Sequence, residues 1–126
     1  MKIIGIGTDI LEVSRIQNLL DSFGDRFLDK ILSVSEKEYC LSRSNPAQHI
    51  AGRFCAKEAV IKTLNNIIQK PPLSHLEIGN TAEGKPFINF PSEFMKANPS
   101  LNDITIELSI SHSKTVAMAT ALSFRR

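Results

Sequence analysis

The sequence predicts an α+β domain spanning residues 1–126, in which a mostly antiparallel sheet packs against one long central helix. Three observations lead there. Residues 50–64, IAGRFCAKEAVIKTL, contain no proline, good helix formers throughout and apolar residues recurring at helical spacing. Ile104, Ile106, Leu108 and Ile110 alternate strictly with Thr105, Glu107, Ser109 and Ser111, the period-two pattern of a half-buried strand. The elements run strand, several helices, hairpin, short helix, hairpin, which places antiparallel pairing in the second half of the chain.

In chain order, residues 2–7 read as a buried strand ending on glycines, with Thr8 and Asp9 at its carboxyl end. Val13, Ile16, Leu19, Leu20 and Phe23 recur at three and four spacing, so residues 12–23 form an amphipathic helix that Gly24 stops; Arg15 lies on its flank. The strand–Gly-x-Gly–helix order does not complete a dinucleotide fingerprint, because Ile10 stands where the third glycine belongs. Asp9 is either a ligand-facing carboxylate at a strand end or a cap of the following helix. Residues 25–32 give a short helix with Phe27, Leu28, Ile31 and Leu32 inward, and Ser35 with Glu38 forms a capping-box pattern for another. Pro46 suits the start of the central helix, which ends near Asn65-Asn66, before Pro71-Pro72.

After Pro72 the pattern becomes that of strands. Leu76 and Ile78 alternate with polar neighbours, Glu83-Gly84-Lys85 makes a turn, and residues 86–90 return as a second strand. Residues 91–98 form one short helix. Residues 115–124 form a final strand, with Val116, Met118 and Leu122 on one face. Ala117, Ala119 and Ala121 lie on the other, small enough for close approach of a helix or another subunit.

Composition sets outer bounds. A formal net charge of +2 lacks the basic excess of a nucleic-acid binder. Apolar content of 42% and charged content of 22% are those of an ordinary globular protein. No segment is apolar and long enough to span a membrane or to act as a signal peptide, so a cytoplasmic protein is expected. Cys40 and Cys55 match no metal spacing and read as reduced core residues.

The central helix carries the chemistry. At about 100° per residue, Ile50, Phe54, Val60, Ile61 and Leu64 share a face, and Arg53 and Lys57 fall inside it. Either their long stems carry the charges past the core to solvent, or they present cations to an anionic ligand. Glu58 and Lys62, four apart, stack on a neighbouring flank. Asp9 and Glu58 together would suit Mg²⁺, which takes one or two carboxylates and completes its shell with phosphates and waters. His49 and His75 have no metal partner at a sensible spacing, whereas His112, between two serines at a strand end, reads either as a turn residue or as a donor to a phosphate.

Four motifs then fall into one order: Gly5-Ile6-Gly7-Thr8-Asp9-Ile10, Arg53-Phe54-Cys55-Ala56-Lys57-Glu58-Ala59, Gly84-Lys85-Pro86 and Ser109-Ile110-Ser111-His112-Ser113. Together they resemble the holo-[acyl-carrier-protein] synthases, small 4′-phosphopantetheinyl transferases, over essentially the whole chain. The resemblance implies that fold and transfer of the 4′-phosphopantetheine arm of coenzyme A to a serine of apo acyl carrier protein, with Mg²⁺ required. It implies Asp9 and Glu58 as metal ligands and Glu58 and Lys62 as catalytic residues. Arg53, Lys57, Gly84, Lys85, Pro86, Ser111 and His112 would line the coenzyme A site. Arg15 and Arg26 would dock the acidic carrier protein. It further implies a homotrimer with active sites at subunit interfaces, with which the alanine face is compatible. One departure is Leu64-Asn65-Asn66-Ile67, where the family carries a phenylalanine and a glycine-rich turn; asparagine tolerates left-handed backbone, so the turn is expected to be kept. A non-catalytic phosphate-binding module and a plain assembly protein are the competing readings, and neither needs a metal carboxylate at Asp9.

Overall fold

The structure, a computed structural model, describes residues 1–126. Strand β1 (Lys2–Glu12) leads into helices α1 (Val13–Phe23), α2 (Asp25–Ile31), α3 (Val34–Leu41) and the long α4 (Pro46–Thr63). A 3₁₀ turn at Leu73–His75 precedes the hairpin of β2 (Glu77–Asn80) and β3 (Pro86–Asn89). Helix α5 (Ser92–Ala97) and a second 3₁₀ turn (Pro99–Asp103) lead to β4 (Ile104–His112) and β5 (Val116–Arg125). The main sheet has the antiparallel order β1-β5-β4, and β2-β3 forms a separate two-stranded sheet.

Helix α4 lies across β1 and β5, and the core gathers around it. Its apolar pattern is broad because neighbours enclose it: twelve of its 18 residues are buried, Arg53 and Lys57 among them. The alanines of β5 serve this contact. Ala117, Ala119 and Ala121 are buried in the core beneath the helix, so they receive a helix rather than a second subunit. Gly5 and Gly7 bring the backbones of β1 and α4 together: a Cβ on Gly7 would sit 2.1 Å from the Ala59 carbonyl oxygen, and one on Gly5 2.6 Å from that of Thr63.

Several expectations change. β1 does not stop at Gly7; it pairs with β5 as far as Glu12↔Val116, because β5 offers backbone partners along that whole length. Nor is β1 buried on both faces, since Ile3, Ile6 and Ile10 are exposed. Asp9 is therefore inside the strand, and it does not cap α1, whose N-cap is Glu12 without a side-chain bond. The capping box of α3 is Ser33 with Glu36, not Ser35 with Glu38: Glu36 N donates to Ser33 Oγ and Ser33 N donates to Glu36 Oε1. After α4, Ile67 N and Ile68 N both donate to the Leu64 carbonyl, and no non-glycine residue in the chain has positive φ. The Asn65-Asn66 turn thus forms without left-handed backbone.

Candidate functional site

One group of polar residues gathers where β1 meets α4. Alternation along β1 places Asp9 on the same side as Gly7, facing α4, opposite Ala119 of β5. Lys62, four residues after Glu58 on α4, donates to the Thr8 carbonyl at 2.6 Å and pairs with Asp9 Oδ1 at 3.3 Å. Glu58 pairs with Lys70 at 3.1 Å. Burial, then the neighbouring Asp9 carboxylate and, more weakly, Glu58, push the Cys55 thiol up to about 12. Their side chains are only partly covered, about 20% exposed for Asp9 and 19% for Glu58. No group of three or more His, Cys, Asp or Glu side chains is arranged to hold a metal ion. Two accessible hard oxygen donors are what a divalent ion shared with a substrate phosphate requires, so the donor set fits Mg²⁺.

A second group forms a cleft of about 180 Å³ lined by Tyr39, Gly52, Arg53, Asn80, Pro86 and His112, with His49, Gly84 and Ile110 completing its wall. Arg53 is its charged floor. It is 7% exposed, its Nη2 donates to Asn80 Oδ1 at 3.3 Å, and its Nε is buried without a hydrogen-bond partner. The guanidinium carbon lies 4.3 Å from the Tyr39 ring centroid, and that of Arg43 lies 4.2 Å from the same ring. His49 meets Tyr39 and His112 edge-on at 5.9 and 5.3 Å. Burial, then His112, Arg53 and Arg43, pull the His49 imidazole below its ordinary value. No carboxylate pairs with either arginine. A buried donor without an acceptor, flanked by a second guanidinium and two imidazoles and paired with no carboxylate, suits an anion.

The structure thus brings Arg53, Gly84, Pro86 and His112 into one cleft and Asp9, Glu58 and Lys62 into a second cluster. Arg53 and Glu58 are five positions apart on α4, so they leave the helix roughly 140° apart. Gly84 holds its turn with φ 89°, and its carbonyl accepts from Asn80 Nδ2. Lys85 is turned away, its ammonium engaged by Glu107 of β4. Ser111 is exposed and alternates to the other side of β4 from His112.

Lys57 departs from expectation most clearly. It is fully buried, with Nζ 2.6 Å from Glu36 Oε1, 2.7 Å from the Ile31 carbonyl and 2.9 Å from the Leu73 carbonyl. An ammonium with three protein acceptors and no exposure has nothing left to offer a ligand, so Lys57 does not line the site. Burial pulls its pKa below the usual lysine value, against the pull of Glu36.

Arg15 is exposed on α1, one turn before Leu19. Arg26 helps line a shallow groove of about 210 Å³ with Leu19, Phe23, Phe27 and Lys30. Sequence reasoning missed Tyr39, Arg43, Asn80 and His49. The i,i+4 spacing of Tyr39 with Arg43 and of His49 with Arg53 was the available signal, but only the fold brings those two helices together.

Residues 5–121 match the 4′-phosphopantetheinyl transferase superfamily, and the chain belongs to it. Within it, the chain is 38% identical over 120 residues to the holo-[acyl-carrier-protein] synthase of Natranaerobius thermophilus, covering 95% of this chain and 96% of that one. It is 41% identical over 122 residues to the holo-[acyl-carrier-protein] synthase of Protochlamydia amoebophila, covering 94% and 96%. The crystal structure of the Neisseria meningitidis holo-[acyl-carrier-protein] synthase superposes with a TM-score of 0.87 at 30% identity, covering 98% of this chain and 99% of that one. The Helicobacter pylori synthase in complex with coenzyme A superposes with a TM-score of 0.78 at 30% identity, covering 94% and 99%.

Proposed function

We propose that this chain is a holo-[acyl-carrier-protein] synthase whose turnover depends on Mg²⁺ held by Asp9 and Glu58. It transfers the 4′-phosphopantetheine group of coenzyme A to a serine of apo acyl carrier protein, releasing adenosine 3′,5′-bisphosphate. The observation that carries the site assignment is the pair of partly open carboxylates, Asp9 beside Lys62 and Glu58 beside Lys70, where β1 packs on α4 at Gly7. Asp9 and Glu58 would hold Mg²⁺, which when bound would supply neutralising charge to the diphosphate. Glu58 accepts the proton of the attacking serine hydroxyl, directly or through a water. Lys62 swings from Thr8 and Asp9 to the phosphate that leaves. Arg53 and His112 hold a phosphate of the adenosine half, satisfying the orphaned Nε.

The working unit we infer is a homotrimer. The outer face of the main sheet carries Ile6 and Ile10, 70% and 68% exposed, beside Ile3 and Met118, an apolar patch of the kind that marks an interface. The divergence of Arg53 and Glu58 around α4 supports a site completed between neighbours, the cleft of one subunit serving the carboxylates of the next. The groove at Leu19, Phe23 and Phe27, flanked by Arg26 and Lys30 and with Arg15 one turn away, suits an acidic carrier protein presenting apolar residues. No helix is long and apolar enough to cross a membrane, and a cytoplasmic location is part of this proposal.

Calorimetric titration with coenzyme A tests the site. The expected result is binding strengthened by Mg²⁺, with the metal-dependent part abolished in Asp9→Asn. Binding that ignores both EDTA and Asp9→Asn would instead leave a phosphate-binding module.

A further inference from the structure

The buried Lys57–Glu36 pair belongs to neither cluster, yet it is the most completely hydrogen-bonded charged group in the protein. Besides its three acceptors for Lys57, Glu36 Oε1 accepts from Ser33 N at 2.8 Å and Glu36 Oε2 from Ile78 N at 2.9 Å. The pair therefore joins five segments: the end of α2 at Ile31, the start of α3 at Ser33, α4 at Lys57, the 3₁₀ turn at Leu73 and β2 at Ile78. Replacing a buried ion pair with apolar residues is often neutral or stabilising, so stability alone does not account for such a group. Geometry does.

Each side of the Arg53 clamp is one short step from this pair. Tyr39, whose ring holds the Arg53 guanidinium, follows Glu36 by three residues on α3. Asn80, which accepts from Arg53 Nη2 and donates to the Gly84 carbonyl, follows Ile78 by two on β2 and so points to the same side of the strand. Arg53 itself precedes Lys57 by one turn of α4. We infer that Glu36 and Lys57 are positioning residues: their ion pair fixes α3 and the β2–β3 hairpin against α4, and so aims Arg53 at the anionic substrate. The inference rests on the coenzyme A reading of the cleft. The hydroxyls of Ser33 and Ser35, which donate to Glu77 Oε2 at 2.8 and 2.7 Å, join the same two elements nearer the surface. They constrain the start of α3 but contribute no contact to α4.

The test compares wild type with Glu36→Gln, with the double variant Glu36→Gln/Lys57→Met, and with Leu101→Ala, a core truncation in the second 3₁₀ turn, outside the five segments that the pair joins. The double variant leaves no unpaired charge behind, so it separates aim from stability. Kinetics are measured well below every melting temperature. The expected result is that both pair variants raise KM for coenzyme A by about tenfold while kcat and KM for the carrier protein change little, and that Leu101→Ala leaves KM unchanged. A double variant with wild-type KM for coenzyme A would overturn the inference. So would a double variant that fails to fold, because the pair would then be holding the fold rather than aiming Arg53. A wild type that neither binds coenzyme A nor transfers would fail the functional reading itself, a separable result.

Discussion

Gly7→Ala probes how the fold makes the catalytic cluster. The added Cβ would lie 2.1 Å from the Ala59 carbonyl oxygen, 3.0 Å from its carbonyl carbon and 3.0 Å from Lys62 Cβ. The first two obstacles are backbone atoms in the middle of α4, which cannot rotate away. Restoring an ordinary contact needs roughly a 1 Å separation of helix and strand, and overpacking of this kind costs about 1–3 kcal/mol, with rigid backbone placing this case at the upper end. For a chain of this size that corresponds to a fall in Tm of roughly 10–15 °C. The displacement acts on the site as well, because Asp9 is two residues from Gly7 and Glu58 adjoins Ala59. A misplacement of about 1 Å can cost on the order of 100-fold in rate. Thermal denaturation and the initial transfer rate, the latter measured below the melting range of both proteins, read the two effects. Gly5→Ala, facing Thr63 at 2.6 Å, should be milder in both. A Gly7→Ala protein with wild-type Tm and a rate within about twofold of wild type would refute the reasoning.

Other perturbations test other parts. Glu58→Gln should keep the fold and lose nearly all turnover, about 100-fold or more; circular dichroism with a transfer assay checks this, and a folded mutant with retained turnover would remove Glu58 from the chemistry. Ile6→Glu combined with Ile10→Glu should convert the assembly to monomers by light scattering without lowering secondary structure, since both side chains are exposed in the single chain. His49 sits among Tyr39, Arg43, Arg53 and His112, and its folded pKa lies below the ordinary 6.5 because burial disfavours the charged ring. Its contribution to stability is thus fully present above about pH 6.5 and is lost as pH falls through the folded pKa. The ligand-free protein should lose Tm on acidification below that value, less steeply in His49→Asn. An unchanged slope in that variant would assign the acid sensitivity elsewhere.

Much of this was legible in the sequence because local pattern and tertiary packing agree. The strict alternation of β4 and the proline-free run of α4 produced the elements they predict. The two cations in the apolar face of α4 are both buried, neither carried past the core to solvent. What the pattern did not hold was the partner: Lys57 is neutralised by Glu36, 21 residues earlier on another helix, and only the fold joins them. The same long-range demand decides between two overlapping Ser-x-x-Glu boxes. Ser33–Glu36 caps α3, and its glutamate also meets the buried lysine, a contact no local rule contains. The glycines that read as the end of β1 lie inside it, and they admit the backbone of α4. The alanine face offered a helix or a subunit with equal economy, and its position under α4 chose the helix. Arg53, Gly84, Pro86 and His112, from three separate motifs, line one cleft. Ser111 faces away because it neighbours His112 on β4, where successive positions face opposite ways, and Lys85, in the turn before β3, is engaged by Glu107.

The most direct measurement is the intact mass of apo acyl carrier protein after incubation with this protein, coenzyme A and Mg²⁺, beside an EDTA control. The expected result is the gain of one phosphopantetheine arm, absent with EDTA and absent with Asp9→Asn. An unmodified carrier from a folded enzyme would contradict the transferase assignment, and modification that persists in EDTA would contradict the metal role of Asp9 and Glu58.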